Sequence, residues 1–217
     1  MNLQGVIFDM DGTLGDTVFV SVEAIVRAVH THTGQTFTHP EIIARFGPSE
    51  PGIIKKLVPD EVWKEACRTF FEEYERIHQD HQIGAYPGIR PILDLLSEHG
   101  IRQAIVTGKG ERSAHISLGY FQLNGHFEHV ETGWLTGSSK EAGIKSVLSA
   151  WQIPPENAVY IGDAPADVAI ARRAGVHPIS AAWADTADPA ELHAEQPEVL
   201  FETVAELETW LREQINQ

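Results

Sequence analysis

The chain has 217 residues, of which 31 are acidic and 16 are basic, so its formal net charge is −15 at pH 7. A hydrophobic content of 42% is that of an ordinary folded protein and excludes a largely disordered chain. No run reaches the ~18 consecutive apolar residues of a membrane helix, so no membrane association is expected. The acidic balance also argues against nucleic acid as a partner, because phosphate backbones are bound by clustered lysine and arginine.

Cysteine usage and the first residues bear on the cellular compartment. Cys67 is the single cysteine, so no intrachain disulfide can form, as suits a reducing compartment. The segment MNLQGVIFDMDGT has no basic stretch and carries acids by its ninth residue, unlike a secretory signal. We therefore expect a cytoplasmic protein.

In chain order, short apolar runs alternate with helical patterns, which predicts a mostly parallel sheet with crossover helices. The predicted strands are residues 5–8, 103–106, 158–161 and 176–181. Apolar residues recur at helical spacing in residues 89–96, 144–151 and 204–215, which predicts three helices. The expected fold class is α/β, with a Rossmann-like parallel sheet as its core.

Residues 17–86 differ from the rest, because they contain helical patterns and no convincing strand. The turn signal Tyr86-Pro87-Gly88 precedes the helix predicted at 89–96. These features predict a helical domain of residues 17–86 inserted after the first strand, with residues 1–16 and 87–217 forming the core.

The first predicted strand runs directly into acidic residues. Asp9, Asp11 and Asp16 lie within eight residues of one another and include the turn-forming Asp11-Gly12 pair. Aspartate and glycine are common in turns, but crowded carboxylates repel each other and need a cation or raised pKa values. Ligands in open α/β sheets bind at the carboxyl ends of strands, where these acids fall. Oxygen ligands of this kind suit Mg²⁺ or Mn²⁺.

Further polar residues follow two later strands. Asp163 and Asp167 come after the strand at 158–161, although an acid in the first turn of a helix, such as Asp167, also complements the helix dipole. Thr107 and Gly108 follow the strand at 103–106 and offer a hydroxyl and backbone N–H groups to a phosphate. Lys140 stands near a helix start, where a lysine is slightly unfavourable, and this hints at another role.

Taken together and in this order, four motifs resemble the haloacid dehalogenase superfamily of phosphohydrolases. They are DMDGTL followed by Asp16 and Thr17, the strand ending at Thr107, Lys140, and GDAPAD. The resemblance extends from Val6 to about Leu200. One departure is that Glu141 follows Lys140 where many relatives have proline.

The resemblance implies a role for each motif residue. Asp9 would be the nucleophile and Asp11 the general acid and base, whose backbone carbonyl helps to hold the metal. Thr107 and Lys140 would stabilise the transferring phosphoryl group. The implied phosphate-binding residues are Gly12, Thr107, Gly108 and Lys140. The implied Mg²⁺ ligands, with Mn²⁺ as an alternative ion, are Asp9, Asp11, Asp163 and Asp167.

The position of the insert resembles that of the helical cap in phosphoglycolate phosphatases and β-phosphoglucomutases. This resemblance implies hydrolysis of a small phosphorylated metabolite by a monomer or homodimer, with residues 46–50 facing the substrate. Two alternatives stay open: a phosphosugar mutase with the same catalytic set, and an inactive metabolite-binding regulator. A dehalogenase is disfavoured because it would lack the acid at position 11.

Several other residues carry weaker signals. Lys109 is a candidate cation at the mouth of the site, and Lys145 is a fallback for Lys140 that should face solvent. We expect Arg45, Lys55 and Lys56 to be solvated. The pairs His78/His81 and His126/His129 lack a third ligand and are predicted to be surface histidines. Four tryptophans are predicted to anchor the core: Trp134, Trp151, Trp183 and Trp210.

Overall fold

The computed structural model describes residues 2–216, which contain one six-stranded sheet flanked by helices. All strand pairs are parallel, and the spatial order is β3-β2-β1-β4-β5-β6. The strands are β1 (Gly5–Phe8), β2 (Arg102–Val106), β3 (His129–Glu131), β4 (Ala158–Gly162), β5 (His177–Ala181) and β6 (Val199–Phe201). The predicted α/β class with a parallel sheet is confirmed.

Ten α-helices accompany the sheet within residues 2–216. They are α1 (Val18–Thr33), α2 (His39–Ile43), α3 (Glu50–Lys55), α4 (Trp63–His81), α5 (Ile89–Glu98), α6 (Glu111–Phe121), α7 (Lys140–Trp151), α8 (Pro165–Ala174), α9 (Pro189–Ala194) and α10 (Val204–Ile215). Of these described helices, none combines the length and apolarity needed to cross a bilayer. Helices α1 to α4 all lie between β1 and β2 in the chain.

The four predicted strands are present, each within a residue of its expected bounds. Strands β3 and β6, which lie at the two edges of the sheet, were not predicted, because each has only three residues, too few to give a strand pattern. Helix α7 begins at Lys140, so this residue belongs to the helix rather than preceding it. Helix α8 begins at Pro165, as expected from the favourable place of proline in a first helical turn.

The sheet is covered on both faces. Along β1, Val6 and Phe8 belong to the apolar cluster formed with α5, α6 and α10, whereas Ile7 belongs to the cluster formed with α7 and α8. All four β1 residues are buried, as expected for a central parallel strand. Because helices cover both faces, the carboxyl edge of the sheet is the place where polar groups from several strands can meet.

Helices α1 to α4 form a hydrophobic cluster of their own. Ile25 of α1 and Phe70 of α4 are fully buried within it. A polar contact ties this helical layer to the sheet layer: the Tyr74 hydroxyl of α4 lies 2.7 Å from Ser117 Oγ of α6. The helical layer is therefore packed on the sheet layer through α4 and α6.

Two expectations about side chains are wrong. His78 is fully buried rather than a surface residue, with Nε2 3.1 Å from Ser117 Oγ and its ring stacked on Tyr120. Trp134 does not anchor the core, because 55% of its surface is exposed. His78 stands at helical spacing from Phe70 and Tyr74, which places it on the buried face of α4, whereas no such pattern surrounds Trp134.

Burial gives His78 a pH-dependent effect on stability. Desolvation lowers the pKa of His78 to about 4, whereas an unfolded histidine titrates near 6.5. Between these values the unfolded chain binds a proton that the folded chain does not. The contribution of His78 to the free energy of unfolding therefore falls as pH falls, by about 1–2 kcal/mol between pH 7 and pH 5.

Urea titrations of the wild type and His78→Gln at both pH values measure this difference. The variant should lose less stability on acidification than the wild type. His115→Gln replaces an exposed histidine and is the control: its loss of stability between pH 7 and pH 5 should equal that of the wild type. If the wild type and His78→Gln lose equal stability between the two pH values, His78 does not make this pH-dependent contribution.

Candidate active site

The carboxyl ends of three adjacent strands bring the predicted motifs to one edge of the sheet. β1 pairs with β2 on one side and with β4 on the other, and Asp9 N–H donates to Ile161 O at 2.8 Å. Asp9 follows β1, Thr107 follows β2, and Asp163 follows β4. Residues separated by about 150 positions in sequence are therefore neighbours in space.

Three carboxylates form a tight cluster at this edge. Asp9, Asp163 and Asp167 each offer an oxygen, and these oxygens lie within 4.8 Å of one another. Asp9 and Asp167 are buried. Such crowding is unfavourable for three anions in a low-dielectric site unless a cation is close. The all-oxygen donor set fits Mg²⁺ or Mn²⁺, so these residues satisfy the chemistry expected of a hard divalent ion.

Lys140 supplies one cation to the cluster. Its Nζ lies 2.6 Å from Asp9 Oδ2 and 2.6 Å from Asp167 Oδ1, so the lysine bridges two carboxylates. Burial alone would lower the pKa of Lys140, but Asp167 and Asp9 outweigh burial and raise it well above its usual value. The two carboxylates therefore favour the charged form of Lys140.

Burial dominates the titration of the carboxylates themselves. It raises the pKa of Asp9 to about 6, although Lys140 acts in the opposite direction. Burial and the charges of Asp9 and Asp167 raise the pKa of Asp163 well above its usual range. One lysine is thus insufficient to keep the cluster fully ionised, and a second positive charge would favour the anionic form.

Two glycines allow the carboxylates to approach the backbone. Gly12 has φ +70°, and a Cβ at this position would lie 2.0 Å from Asp163 Oδ2. A Cβ at Gly162 would lie 2.4 Å from Asp167 Oδ2. Any side chain at either position would displace a carboxylate, so both glycines are needed for the geometry of the cluster.

The segment after β2 contributes uncharged groups. Thr107 is fully buried, and its Oγ1 accepts a hydrogen bond from Lys109 N–H at 3.2 Å. Gly108 lines the cavity over the carboxylates. Gly133 packs against this segment so closely that a Cβ there would lie 1.9 Å from Gly108 O. The loop carrying Thr107 and Gly108 is therefore held in place from outside the site.

Lys109 does not stand at the mouth of the site, as the sequence suggested, because its side chain is completely buried. Its Nζ lies 2.9 Å from Asp11 Oδ1, 2.8 Å from Ser21 Oγ and 3.2 Å from Glu50 Oε1. Glu50 also accepts from Gly110 N–H at 2.7 Å. Lys109 therefore connects the sheet edge to helices α1 and α3, which carry Ser21 and Glu50.

The carboxylate of Asp11 is not part of the cluster formed by Asp9, Asp163 and Asp167. Its Oδ1 accepts from Lys109 and also from the hydroxyl of Thr17. Both contacts fall on the same oxygen, Oδ1, and Asp11 lines the cavity. Asp16 does not join the cluster; it is half-buried, and burial raises its pKa.

The cavity above these groups has a volume of about 350 Å³. Its floor holds the groups already described, and its roof comes from α1, α3 and the loop before α3. The roof residues are Val18, Ser21, Phe46, Gly47, Pro48, Glu50 and Ile53. Residues 46–50 thus face the site, as the position of the insert predicted, with Ser49 turned away from the lining.

Other candidate cations lie elsewhere. Lys55 and Lys56 are exposed, and Arg45 donates to Glu41 O while covering the Phe37 ring, so none of the three lines the cavity. Lys145 faces solvent, as expected, and pairs with Glu141. The expectation that these side chains are solvated is confirmed for Lys55 and Lys56.

Sequence reasoning missed the partners of Lys109 and the contribution of the loop after β3. Ser21 and Glu50 lie 88 and 59 positions from Lys109, and no local pattern relates them. In the loop after β3, Ser138 lines the cavity and Trp134 O accepts from Ser49 N–H at 2.8 Å. The one usable signal was Lys109 itself, two positions after Thr107.

Replacing Lys109 should destabilise the protein strongly. In Lys109→Met, the buried carboxylate of Glu50 and the partly buried one of Asp11 lose their cation, which should lower the free energy of unfolding by about 3–5 kcal/mol. Lys145→Met, which removes an exposed pair, should cost less than about 1 kcal/mol. Urea denaturation followed by circular dichroism measures both, and equal losses would contradict the assigned role of Lys109.

Comparisons with known proteins agree with this geometry. A protein of Caldanaerobacter subterraneus subsp. tengcongensis, provisionally named pyrophosphatase PpaX, is 30% identical over 211 residues, covering 95% of this chain and 94% of its own length. A hydrolase from Pseudomonas syringae has a similar fold, with a TM-score of 0.78 and 24% identity over 97% of this chain and 98% of its own.

CbbY from Rhodobacter sphaeroides, solved in complex with phosphate, superposes with a TM-score of 0.76 at 18% identity, covering 94% of this chain and 96% of its own. The family model of the haloacid dehalogenase-like hydrolases matches residues 6–181, which include Asp9, Thr107, Lys140 and Asp163. The chain therefore belongs to the haloacid dehalogenase-like hydrolase family.

Proposed function

We propose that this hydrolase is a Mg²⁺-dependent phosphatase that cleaves a small phosphate monoester through an aspartyl-phosphate on Asp9. The observation that carries the proposal is the position of Asp9, buried at a strand end with Lys140 Nζ 2.6 Å from one oxygen and two further carboxylates close by. A nucleophile needs a cation beside it when it attacks an anionic phosphoryl group. The phosphatase activity itself accords with the relatives and with the family.

Asp9, Asp163 and Asp167, with the backbone carbonyl of Asp11, are the residues that would hold Mg²⁺. The ion would supply the positive charge that lets a carboxylate and a phosphate approach each other. Mn²⁺ prefers the same oxygen donors and is the alternative ion. Support comes from the burial and crowding of these carboxylates, which raise the pKa values of Asp9 and Asp163 and which a divalent cation would offset.

Asp9 is proposed to attack phosphorus in line with the leaving alkoxide, so that an O–P bond forms to Asp9 as the bond to the leaving oxygen breaks. Asp9 Oδ1 accepts from Met10 N–H at 2.7 Å, and Oδ2 accepts from Lys140. These contacts fix the plane of the carboxylate before attack. Lys140 and the backbone and hydroxyl groups of Gly12, Thr107 and Gly108 would bind the phosphoryl oxygens.

Asp11 is proposed as the general acid and base. It would donate a proton to the leaving alkoxide and then take one from the water that hydrolyses the aspartyl-phosphate. Lys109 and Thr17 hold Oδ1, so the proton would move at Oδ2. Residues 17–86 would act as a cap over the core of residues 1–16 and 87–217, and Glu50 and Ser21 would hold it closed through Lys109.

Replacement of the proposed nucleophile tests the mechanism directly. Asp9→Asn should lower kcat for p-nitrophenyl phosphate with Mg²⁺ at least about 10³-fold, because an amide cannot form the acyl phosphate. Asp185→Asn, at an exposed aspartate outside the cavity lining, should retain wild-type kcat. An Asp9→Asn variant that keeps most of the wild-type rate would overturn the assignment.

The metal requirement is tested separately. Chelation with EDTA should abolish the activity, and added Mg²⁺ should restore it. Asp163→Asn should raise the Mg²⁺ concentration needed for half-maximal activity by about 10-fold or more, since a ligand charge is lost. An unchanged Mg²⁺ dependence, measured beside Asp185→Asn, would exclude Asp163 as a ligand.

A further inference from the structure

The roof of the cavity indicates what kind of leaving group the site accepts. Five carboxylates and two lysines are the charged residues among the described residues that line the cavity: Asp9, Asp11, Glu50, Asp163, Asp167, Lys109 and Lys140. Arginine and histidine do not occur in this lining. The charge available to a substrate therefore depends on what the two lysines already contact.

Lys140 belongs to the phosphoryl end of the site. Its Nζ is 2.6 Å from Asp9 and 2.6 Å from Asp167. A phosphoryl group attacked by Asp9 must lie beside this lysine. Lys140 is therefore occupied by the groups that react and cannot also bind a second anion at the roof.

Lys109 is the cation nearest the roof, but its hydrogen-bonding capacity is filled. An ammonium group has three N–H donors. Nζ of Lys109 has three acceptors within 3.2 Å: Asp11 Oδ1, Ser21 Oγ and Glu50 Oε1. Two of these acceptors belong to carboxylates, so the charge of the lysine is more than balanced before any substrate binds. A second anion on the substrate would meet Glu50 and Asp11 rather than a free cation.

The rest of the roof is apolar, and the proposed in-line attack by Asp9 would direct the leaving group toward it. Phe46 is 44% exposed and lines the cavity together with Val18, Pro48 and Ile53. An exposed aromatic side chain that lines a cavity can bury apolar surface of a bound ligand. A volume of about 350 Å³ holds a phosphoryl group together with a leaving group in contact with these residues.

We infer that the leaving group is an uncharged, largely apolar alcohol packed against Phe46, Val18 and Ile53, and that substrates with a second anionic group are disfavoured. This inference rests on the proposed phosphatase function and narrows its substrate class. It sets this chain apart from a pyrophosphatase, the activity in the name of its relative, because pyrophosphate releases a phosphate anion toward the roof.

A matched pair of substrates isolates the charge. 2-Phosphoglycolate and 2-hydroxyethyl phosphate have similar size and differ in a carboxylate against a hydroxymethyl group. With Mg²⁺ present, kcat/KM should be at least about 10-fold higher for 2-hydroxyethyl phosphate, since like charges at a site without a free cation repel. Pyrophosphate should be cleaved no faster than 2-phosphoglycolate.

A homologous series isolates the apolar contact. From methyl to ethyl to propyl phosphate, kcat/KM should rise about 3–4-fold for each added CH₂ that is buried. Phe46→Arg should flatten this series and shift the matched pair toward 2-phosphoglycolate by about 10-fold or more. Ile43→Arg is the control, because Ile43 is equally exposed nearby but does not line the cavity; it should leave both results unchanged.

The outcomes separate the two proposals. If p-nitrophenyl phosphate and the other phosphate esters are all left intact in the presence of Mg²⁺, the phosphatase function is wrong. If p-nitrophenyl phosphate is cleaved but 2-phosphoglycolate or pyrophosphate is preferred, or the matched pair is cleaved equally, the inference about the leaving group is wrong and the phosphatase function stands. A flat alkyl series would overturn the apolar contact.

Discussion

The repulsion among buried carboxylates at the end of β1 and β4 is the constraint around which the site is arranged. Asp9, Asp163 and Asp167 lie within 4.8 Å of one another because two parallel strands are adjacent and because Gly12 and Gly162 have no side chains. Lys140 offsets part of this repulsion, and burial raises the pKa of Asp9 to about 6 despite it. The site therefore has uncompensated negative charge, which further positive charge would stabilise, at the place where a phosphate ester would bind.

The two buried lysines contact different groups of carboxylates. Lys140 lies on α7 and contacts the acids of the sheet, whereas Lys109 follows β2 and contacts Asp11 together with two residues of the helical layer. A lysine between layers favours the packed arrangement of α1 and α3 over the sheet, because separating them would strand Glu50 without its partner. The same contact fixes the carboxylate proposed to move protons, so the packing of the helical layer on the sheet and the orientation of Asp11 are physically coupled.

Local patterns explain what could be predicted from the sequence. The buried strands β1, β2, β4 and β5 have four or five residues each and are largely apolar, and Asp9 and Asp163 follow two of them directly, so both the sheet and its acidic edge were foreseeable. Strands β3 and β6 have only three residues each, too few to give a strand pattern. The burial of His78 follows from its helical spacing to Phe70 and Tyr74, so this feature was foreseeable as well. The pairing of Lys109 with Glu50 joins residues 59 positions apart, for which no periodicity exists.

The overall acidity of the chain can now be reconciled with an anionic substrate. A net charge of −15 repels polyanions at long range, but a Debye length of about 8 Å at physiological ionic strength screens charges that lie far from the site. What a small phosphate ester experiences is the lining of one cavity, where Lys140 and a bound divalent ion would face the phosphoryl group. The roof over the leaving group has no such compensation, because each N–H of Lys109 already has an acceptor. The site is therefore suited to one anionic group at a fixed position, and its selectivity should arise from the apolar roof rather than from further charge.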